Sequence, residues 1–335
     1  MTNMQSCTAI LLAANLMSMP VGAAETVTID NFIRAETHFY MAGQVASGCF
    51  AKLCHQARTP PVDNQPVIRI NRDTLYSQGV FDLSTPLTIT MPDAGKRYQM
   101  LSVINEDHLI RHVSYTAGPV TLTREMVGSR YAFVIVRTFV QPNNAADARA
   151  VAALQAGIGV AQASPGAFEV PEWNQDQRAA LRSALLGVGR FMPDSRRTFG
   201  DAGDTDPVRR LVGTAGGWGG IAERDAIYLN ERVANNDGVQ PYVLTVGKVP
   251  VDAFWSVTVY NAKGFYEGPE TAISLNNVSA RQNEDGTTTI RFGGDPRAPN
   301  ALRIMPGWNY TVRLYRPRPE ILDGRWRFPA AKPAG

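Results

Sequence analysis

Asn71-Arg72-Asp73-Thr74-Leu75-Tyr76-Ser77, with Phe81-Asp82-Leu83-Ser84 close behind, follows the β-type run Pro66-Val67-Ile68-Arg69-Ile70. The stretch crowds charged and hydrogen-bonding side chains and an aromatic into seven residues at an expected strand end. Such a loop either knits a fold together or faces a ligand. Two readings of it stand side by side. In one, Asp73 and Arg72 form a buried charge pair beside a pocket, with Asn71 and Tyr76 as hydrogen-bonding neighbours. In the other, Asn71, Asp73 and Thr74 satisfy backbone groups in a tight turn, as short polar side chains do well.

Outward from this stretch, the hydrophobic period is two. Leu87-Ile89-Met91, Tyr98-Met100-Ser102-Ile104 and Tyr131-Phe133-Ile135 alternate as half-buried strands do. Ser84-Thr85-Pro86, Pro92-Asp93-Ala94-Gly95 and Ala117-Gly118-Pro119 punctuate them. Upstream, Val27 to Ala57 reads as helical, with Phe32, Ala35, Phe39 and Ala42 or Gly43 on one face. Downstream, Asn144 and Asn174 are N-caps of two helices, the second stopped by Gly187, Gly189 and Pro193. Asp201 to Pro207 and the glycine-rich Gly213 to Gly220 around Trp218 read as loops. Strands return at Tyr242–Val246, Phe254–Tyr260, Thr287–Phe292 and Asn309–Tyr315.

The expected fold is mostly β with a helical middle (α+β): two jelly-roll-like antiparallel β-sandwich domains. The boundaries are 1–24 for a leader, 25–140 for the first domain, 141–225 for a helical connecting region and 226–335 for the second domain. The 335 residues suit two domains of about 150 each.

The first 24 residues carry no charged side chain, and Thr8 to Met19 is mostly apolar. With Gly22-Ala23-Ala24 before Glu25, this reads as a signal peptide too short to span a membrane, although it lacks the usual early Lys or Arg. The expected compartment is the periplasm or the exterior. Export would leave Cys49 and Cys54, which cannot bridge on one ideal helix; a disulfide requires Ser47 to His55 to be a loop or a helix end. Two buried thiols are the alternative.

The blocks quoted so far resemble proteins in which domain of unknown function 1254 precedes domain of unknown function 1214. The resemblance rests on Asn71–Ser77, Asp82-Leu83-Ser84, Met91–Tyr98 and Arg137-Thr138 in the first domain. In the second it rests on Trp218-Gly219-Gly220, Ala226–Asn230, Phe254–Tyr260, Arg313–Pro317 and Asp323–Trp326. It implies β-sandwich domains and export, and no agreed activity. The chain departs from the pattern at Asn300-Ala301-Leu302, where many relatives carry Asn-Trp-Leu-Pro.

A net charge of +3 gives no case for nucleic acid. Arg outnumbers Lys 28 to 5, which suits carboxylate, sulfate or phosphate partners and equally a GC-rich genome. Absent G-x-S-x-G, Rossmann and Walker patterns argue against a serine hydrolase of that type and against a nucleotide cofactor. Glu106-Asp107-His108 with Arg111-His112 is the richest ionisable cluster. His108 and His112 lack the intervening Glu of a zinc helix and would lie about 13 Å apart on a strand, so no metal site is expected.

Trp218 is read as a packed residue or a stacking platform for a sugar ring. The run Arg313, Arg316, Arg318, Arg325 and Arg327, with Tyr315 and Trp326, reads as an anionic-polymer site or as solvated and paired charge. The functional expectation is binding, and potentially hydrolysis, of a carbohydrate-like or anionic ligand. Asp73 with Glu106 or Asp107 would supply acid–base chemistry, and Asn71, Arg72, Tyr76, His108, Arg111 and Trp218 would line the site. The competing class is a non-catalytic interaction or assembly module of the cell envelope; homo-oligomerisation stays open in both.

Overall fold

Thr74–Asp82, Tyr131–Phe139 and Gln99–Asn105 pair antiparallel as the middle of a five-stranded sheet, flanked by Cys54–His55 and Ile110–Ser114. The computed structural model describes residues 24–65 and 67–335; the leader reading falls on residues outside them. Alternation decides what each face does. Phe81, Leu101, Val103, Val134 and Val136 point to a second sheet made by Gly118–Leu122, Leu87–Met91 and Gly159–Gln162, and the two sheets share one core. Val80, Ile104, Phe133 and Ile135 point the other way, onto Met41 and Val45 of the helix Phe32–Ala46. The central sheet is therefore buried on both faces. That is why its strands are nearly continuous apolar runs rather than half-polar ones.

The helix Phe32–Ala46 packs with Gln175–Gly189 and Pro207–Gly217 through Phe32, Ala35, Leu185, Val212 and Ala215. Asn174 and Asn144 cap as expected, each accepting from the amide three residues on. The segment 141–225, read from sequence as a connector, thus gives the first sandwich its strand Gly159–Gln162 and adds a helical layer to the central sheet.

Other expectations need correction. The first helix ends at Ala46 rather than near Ala57, and Phe39 is 45% exposed while Glu36, Thr37 and His38 are buried. The buried face is polar because it meets charged groups: Arg178 and Arg182 reach Glu36, and Glu106 meets His38. Gly213 to Gly220 is not a loop throughout, since Pro207–Gly217 is helical with Asp206 capping two amides. Its glycines serve close packing; a Cβ on Gly213 would meet Thr198 Cγ2 at 2.0 Å. Val67 to Ile70 forms no strand but part of a strap lying on the second domain.

In that second domain, Ser274–Asn276, Trp255–Tyr260, Asn309–Tyr315 and Ala226–Glu231 form one sheet. Ala301–Leu302, Thr288–Phe292, Tyr242–Val246 and Lys332–Pro333 form the other, antiparallel save for its first pair. Trp255, Val257, Val259, Tyr310, Val312 and Leu314 from the first meet Leu244, Ile290, Phe292 and Trp308 in one core. Each such buried side chain contributes about 1.5–3 kcal/mol relative to exposure. Among the described residues no helix is long and apolar enough to cross a membrane.

Cys49 and Cys54 are disulfide bonded with Cα atoms 5.6 Å apart, in the loop after the first helix. This loop runs along the strand Thr74–Asp82 beyond the reach of the short strand Cys54–His55: Ala51 donates to the Val80 carbonyl and Val80 to that of Cys49. The approach is so close that a Cβ on Gly79 would lie 2.2 Å from the Lys52 carbonyl oxygen. Gly79→Ala should therefore displace the disulfide loop and cost about 2–3 kcal/mol. A urea titration checks this, and an unchanged midpoint would show that the loop yields freely.

Candidate functional site at the domain junction

On the Trp255–Tyr260 sheet, the residues that do not face the core are polar. Ser256, Thr258, Asn276, Asn309, Thr311 and Arg313 form a patch that would ordinarily meet water, yet none is more than 3% exposed. The strap before Thr74 covers them. Arg69 donates to Thr311 Oγ1 and Asn309 Oδ1, both at 2.8 Å, and its amide donates to the Gly264 carbonyl. Tyr260 Oη donates to the Ile70 carbonyl at 2.9 Å. Arg313, from the other side, donates to the Arg69 carbonyl at 2.8 Å, Tyr260 Oη at 2.7 Å and Thr258 Oγ1 at 3.1 Å.

The opening stretch is the end of this strap, and each of its first three residues reaches across the junction. Asn71 Nδ2 donates to Tyr315 Oη at 2.8 Å and to Thr74 Oγ1 at 2.9 Å, while its Oδ1 accepts from the Asp73 amide. Arg72 is fully buried, donates to Glu270 Oε2 at 3.1 Å and lies over the Tyr266 ring. Asp73 Oδ1 accepts from Asn276 Nδ2 at 3.2 Å, whereas its Oδ2 has no hydrogen-bond partner. Burial pushes this carboxyl above the ordinary range, against the pull of Ser256, Arg313, Asn276 and Arg72. Of the two earlier readings, the turn holds at Asn71, whose Oδ1 takes the Asp73 amide, whereas the expected Asp73–Arg72 pair does not form: Arg72 pairs with Glu270 and Asp73 bonds Asn276.

Beside this latch, Tyr76 pairs across the sheet with Arg137, whose guanidinium lies over the Tyr76 ring. Arg137 is 4% exposed and donates to Ser102 Oγ at 2.8 Å and the Gly219 carbonyl at 2.6 Å. Tyr228 stands opposite Arg313 on the neighbouring strand. Sequence reasoning did not select Arg137, and it took Arg313 only as one member of a C-terminal arginine run. The signal was available at Arg137: a single cation in the otherwise apolar strand Tyr131–Phe139.

The ionisable cluster is elsewhere and is committed to structure. Glu106 accepts from His38 Nε2 at 2.9 Å and from the Tyr131 amide at 3.1 Å. Burial alone would raise its carboxyl, but these two bonds outweigh that and hold it low. Trp173 Nε1 donates to His38 Nδ1, which fixes the proton of His38 on Nε2. Asp107 is clamped by Arg34 at 2.7 Å, and Arg111 pairs with Asp201. His108 accepts from the Gly219 amide through Nε2, so its proton is on Nδ1, toward Thr214. Burial lowers its pKa to about 3.

Trp218 packs against Tyr40, His108 and Phe133 and donates to Thr37, so its ring belongs to the core rather than to a sugar platform. The C-terminal arginines disperse. Arg313 is in the junction, Arg316 covers Tyr115, and Arg318 and Arg325 pair with Asp252 and Asp323.

Register shows that the proposed carboxylate pair does not form. Val140 donates its amide to the Asp73 carbonyl, whereas Tyr131 binds Glu106, and the two ends of that strand are nine residues apart. At about 3.3 Å per residue the separation is about 30 Å, against the 5–10 Å that paired carboxylates need.

Two expectations follow. Arg313→Met should cost about 3–5 kcal/mol, because it strips the strap of its donor and leaves Asp73 with Arg72 as the remaining one of its two buried cations. Asp73→Asn keeps an acceptor for Asn276 and should cost about 1 kcal/mol. It should also flatten the pH dependence. The stability tied to a raised carboxyl is present below its unfolded value and lost as pH rises through the folded one. Equal losses in urea titrations of the two variants would contradict this. For His108 the sign is opposite: its contribution is present above pH 6.5 and falls toward pH 3 by about 1.4 kcal/mol per unit. The stability gap between wild type and His108→Gln should therefore narrow from pH 6.5 to 4.5; a constant gap would refute the burial effect.

Residues 50–108 match the family model described as "Protein of unknown function (DUF1254)". Residues 226–319 match "Protein of unknown function (DUF1214)". No curated protein matches the chain. The crystal structure of the VPA0106 protein from Vibrio parahaemolyticus is similar at a TM-score of 0.72 and 16% identity, covering 92% of this chain and 98% of that one. An uncharacterized protein from Burkholderia cenocepacia aligns over 86% of this chain and 84% of its own at 14% identity and a TM-score of 0.49. The likeness to the Vibrio structure is one of fold, and the two family matches fall one in each half of the chain. The two matches stand in the arrangement that the sequence resemblance implied, domain of unknown function 1254 before domain of unknown function 1214.

Proposed function

We propose that the protein works outside the cytoplasm as a non-catalytic binding module for an anionic or carbohydrate-like ligand, with the domain junction as its binding region. The observation that carries this is a surplus of buried positive charge. Arg72, Arg137 and Arg313 are buried there, with Arg69 half-buried beside them, against a buried Asp73 and a half-exposed Glu270, and three of the four guanidiniums are hydrogen-bonded only to neutral groups. Buried cations are ordinarily paired with anions, so an unmatched set favours a negative guest. Hydrolysis is set aside because the carboxylates once assigned to it lie far apart and serve other bonds. The Cys49–Cys54 disulfide supports an oxidising compartment, in line with the leader read from the sequence.

Two measurements test the reading. Mature protein should be recovered from the periplasmic or secreted fraction with its N-terminus near Glu25; full-length material confined to the cytoplasm would count against export. Oligogalacturonate should raise the unfolding free energy, by about 1.4 kcal/mol at ten times Kd, and be recovered intact by mass spectrometry. Cleaved product would overturn the non-catalytic reading. Equal stabilisation by a neutral oligosaccharide would overturn the anionic one.

A further inference from the structure

Three tyrosines at the junction keep protons that no group among the described residues accepts. Tyr315 Oη and Tyr76 Oη each receive a bond from Asn71 Nδ2, at 2.8 and 3.4 Å, and donate none. Sharing one amide nitrogen places these two hydroxyls side by side. Tyr228 makes no side-chain hydrogen bond at all among the described residues. Burial pushes its phenol up to about 12, with Arg137, Tyr76, Arg313 and Asp225 as charged or phenolic neighbours. Even so, Tyr228, Tyr76 and Asn71 each retain accessible surface. Side chains that lie deep yet stay accessible line a recess rather than fill a core. Arg137 closes one side of it, over the Tyr76 ring and with no carboxylate paired to it.

The lining is thus rich in donors and poor in acceptors. Asp225 Oδ1 accepts from Tyr115 Oη at 2.7 Å and Asp73 Oδ1 from Asn276, and the Oδ2 of each, though without a hydrogen bond, is shut away from solvent and from a guest. Tyr98, buried behind Tyr315, donates to Met100 Sδ and packs on Phe254 and Tyr315. A guest that satisfies such a lining must accept several hydrogen bonds and carry negative charge. A planar carboxylate does both, because its two oxygens offer about four acceptor positions.

We infer that this recess binds the carboxylate of a small organic acid or acidic sugar through the hydroxyls of the partly exposed Tyr76 and Tyr228, with the charge of Arg137 directly behind them. The inference rests on the anionic-ligand reading and names its site and ligand class. The oligogalacturonate above would enter by a terminal residue.

Calorimetric titration of the full protein with galacturonate, galactose and lactate tests it. Galacturonate should bind and its neutral twin galactose should not. Lactate binding as well as galacturonate would assign recognition to the carboxylate alone; weaker lactate binding would add the sugar ring. Tyr228→Phe removes a single oxygen and should weaken galacturonate about 10-fold with an unchanged melting temperature. Arg137→Gln should weaken it about 100-fold or more. Because Arg137→Gln disturbs a buried strand, the tyrosine variant carries the decision if that protein does not fold. Galacturonate bound equally by wild type and Tyr228→Phe would overturn the recess while leaving the anionic reading intact. No binding of either acid up to about 10 mM would overturn both.

Discussion

A guanidinium shut away from water must find every partner inside the protein, and Arg313 finds its partners in both domains. Thr258 and Tyr260 come from its own sheet, but the Arg69 carbonyl comes from the strap of the other domain. Removing the strap would leave a cation, two asparagines and a row of hydroxyls under-bonded on the sheet face. Each such group costs about 1–3 kcal/mol when buried without a partner. The strap is in the same position, since Arg69 has its partners on Thr311 and Asn309. Neither domain's polar surface is complete alone. This is a specific junction rather than a greasy one, and its hydrogen-bond geometry fixes how the domains meet.

The arrangement also explains where a ligand can act. Polar side chains fully consumed by the latch, such as Thr258 and Asn309, have nothing left to offer. The capacity that remains is at the margin, where Asn71 passes from the latch to Tyr76 and Tyr315 and where Arg137 approaches from the central sheet. A guest seated there touches both domains through groups whose positions the latch sets. Such preorganisation lowers the ordering cost of binding. By contrast, Glu106, Asp107, His108 and Arg111 are clustered in sequence but dispersed in purpose. Glu106 and Asp107 fasten the helix Phe32–Ala46, His108 the helix Pro207–Gly217 and Arg111 the loop at Asp201 to one end of the central sheet.

Local patterns made much of the fold legible. Alternation located the strands around Leu87, Met100, Phe133, Val257 and Val312, and asparagine caps located two helices, because in these segments local preference and tertiary burial agree. Misreadings arose where packing overrode composition. The glycines at 213, 216 and 217 read as loop but lie in a helix, and at Gly213 the segment carrying Thr198 presses so closely that a larger residue does not fit. Val67 and Ile68 read as strand, but they are more than half exposed on a strap whose backbone bonds go to the other domain. Ser256 and Thr258 have the spacing of a solvent-facing side, and nothing local reveals that another domain covers them. The carboxylate pair failed for a related reason: register, not sequence distance, sets Asp73 and Glu106 at opposite ends of the same sheet.

If the latch is what the structure depends on, the two domains must lose their structure together. Hydrogen exchange along a urea series, read separately for Thr74–Asp82 in one domain and Asn309–Tyr315 in the other, measures this most directly. One shared transition, with both strands losing protection at the same denaturant concentration, is the result expected of a junction that each domain needs. Exposure of Asn309–Tyr315 while Thr74–Asp82 stays protected, or the reverse, would show that the domains stand alone and that the buried polar network only decorates their contact.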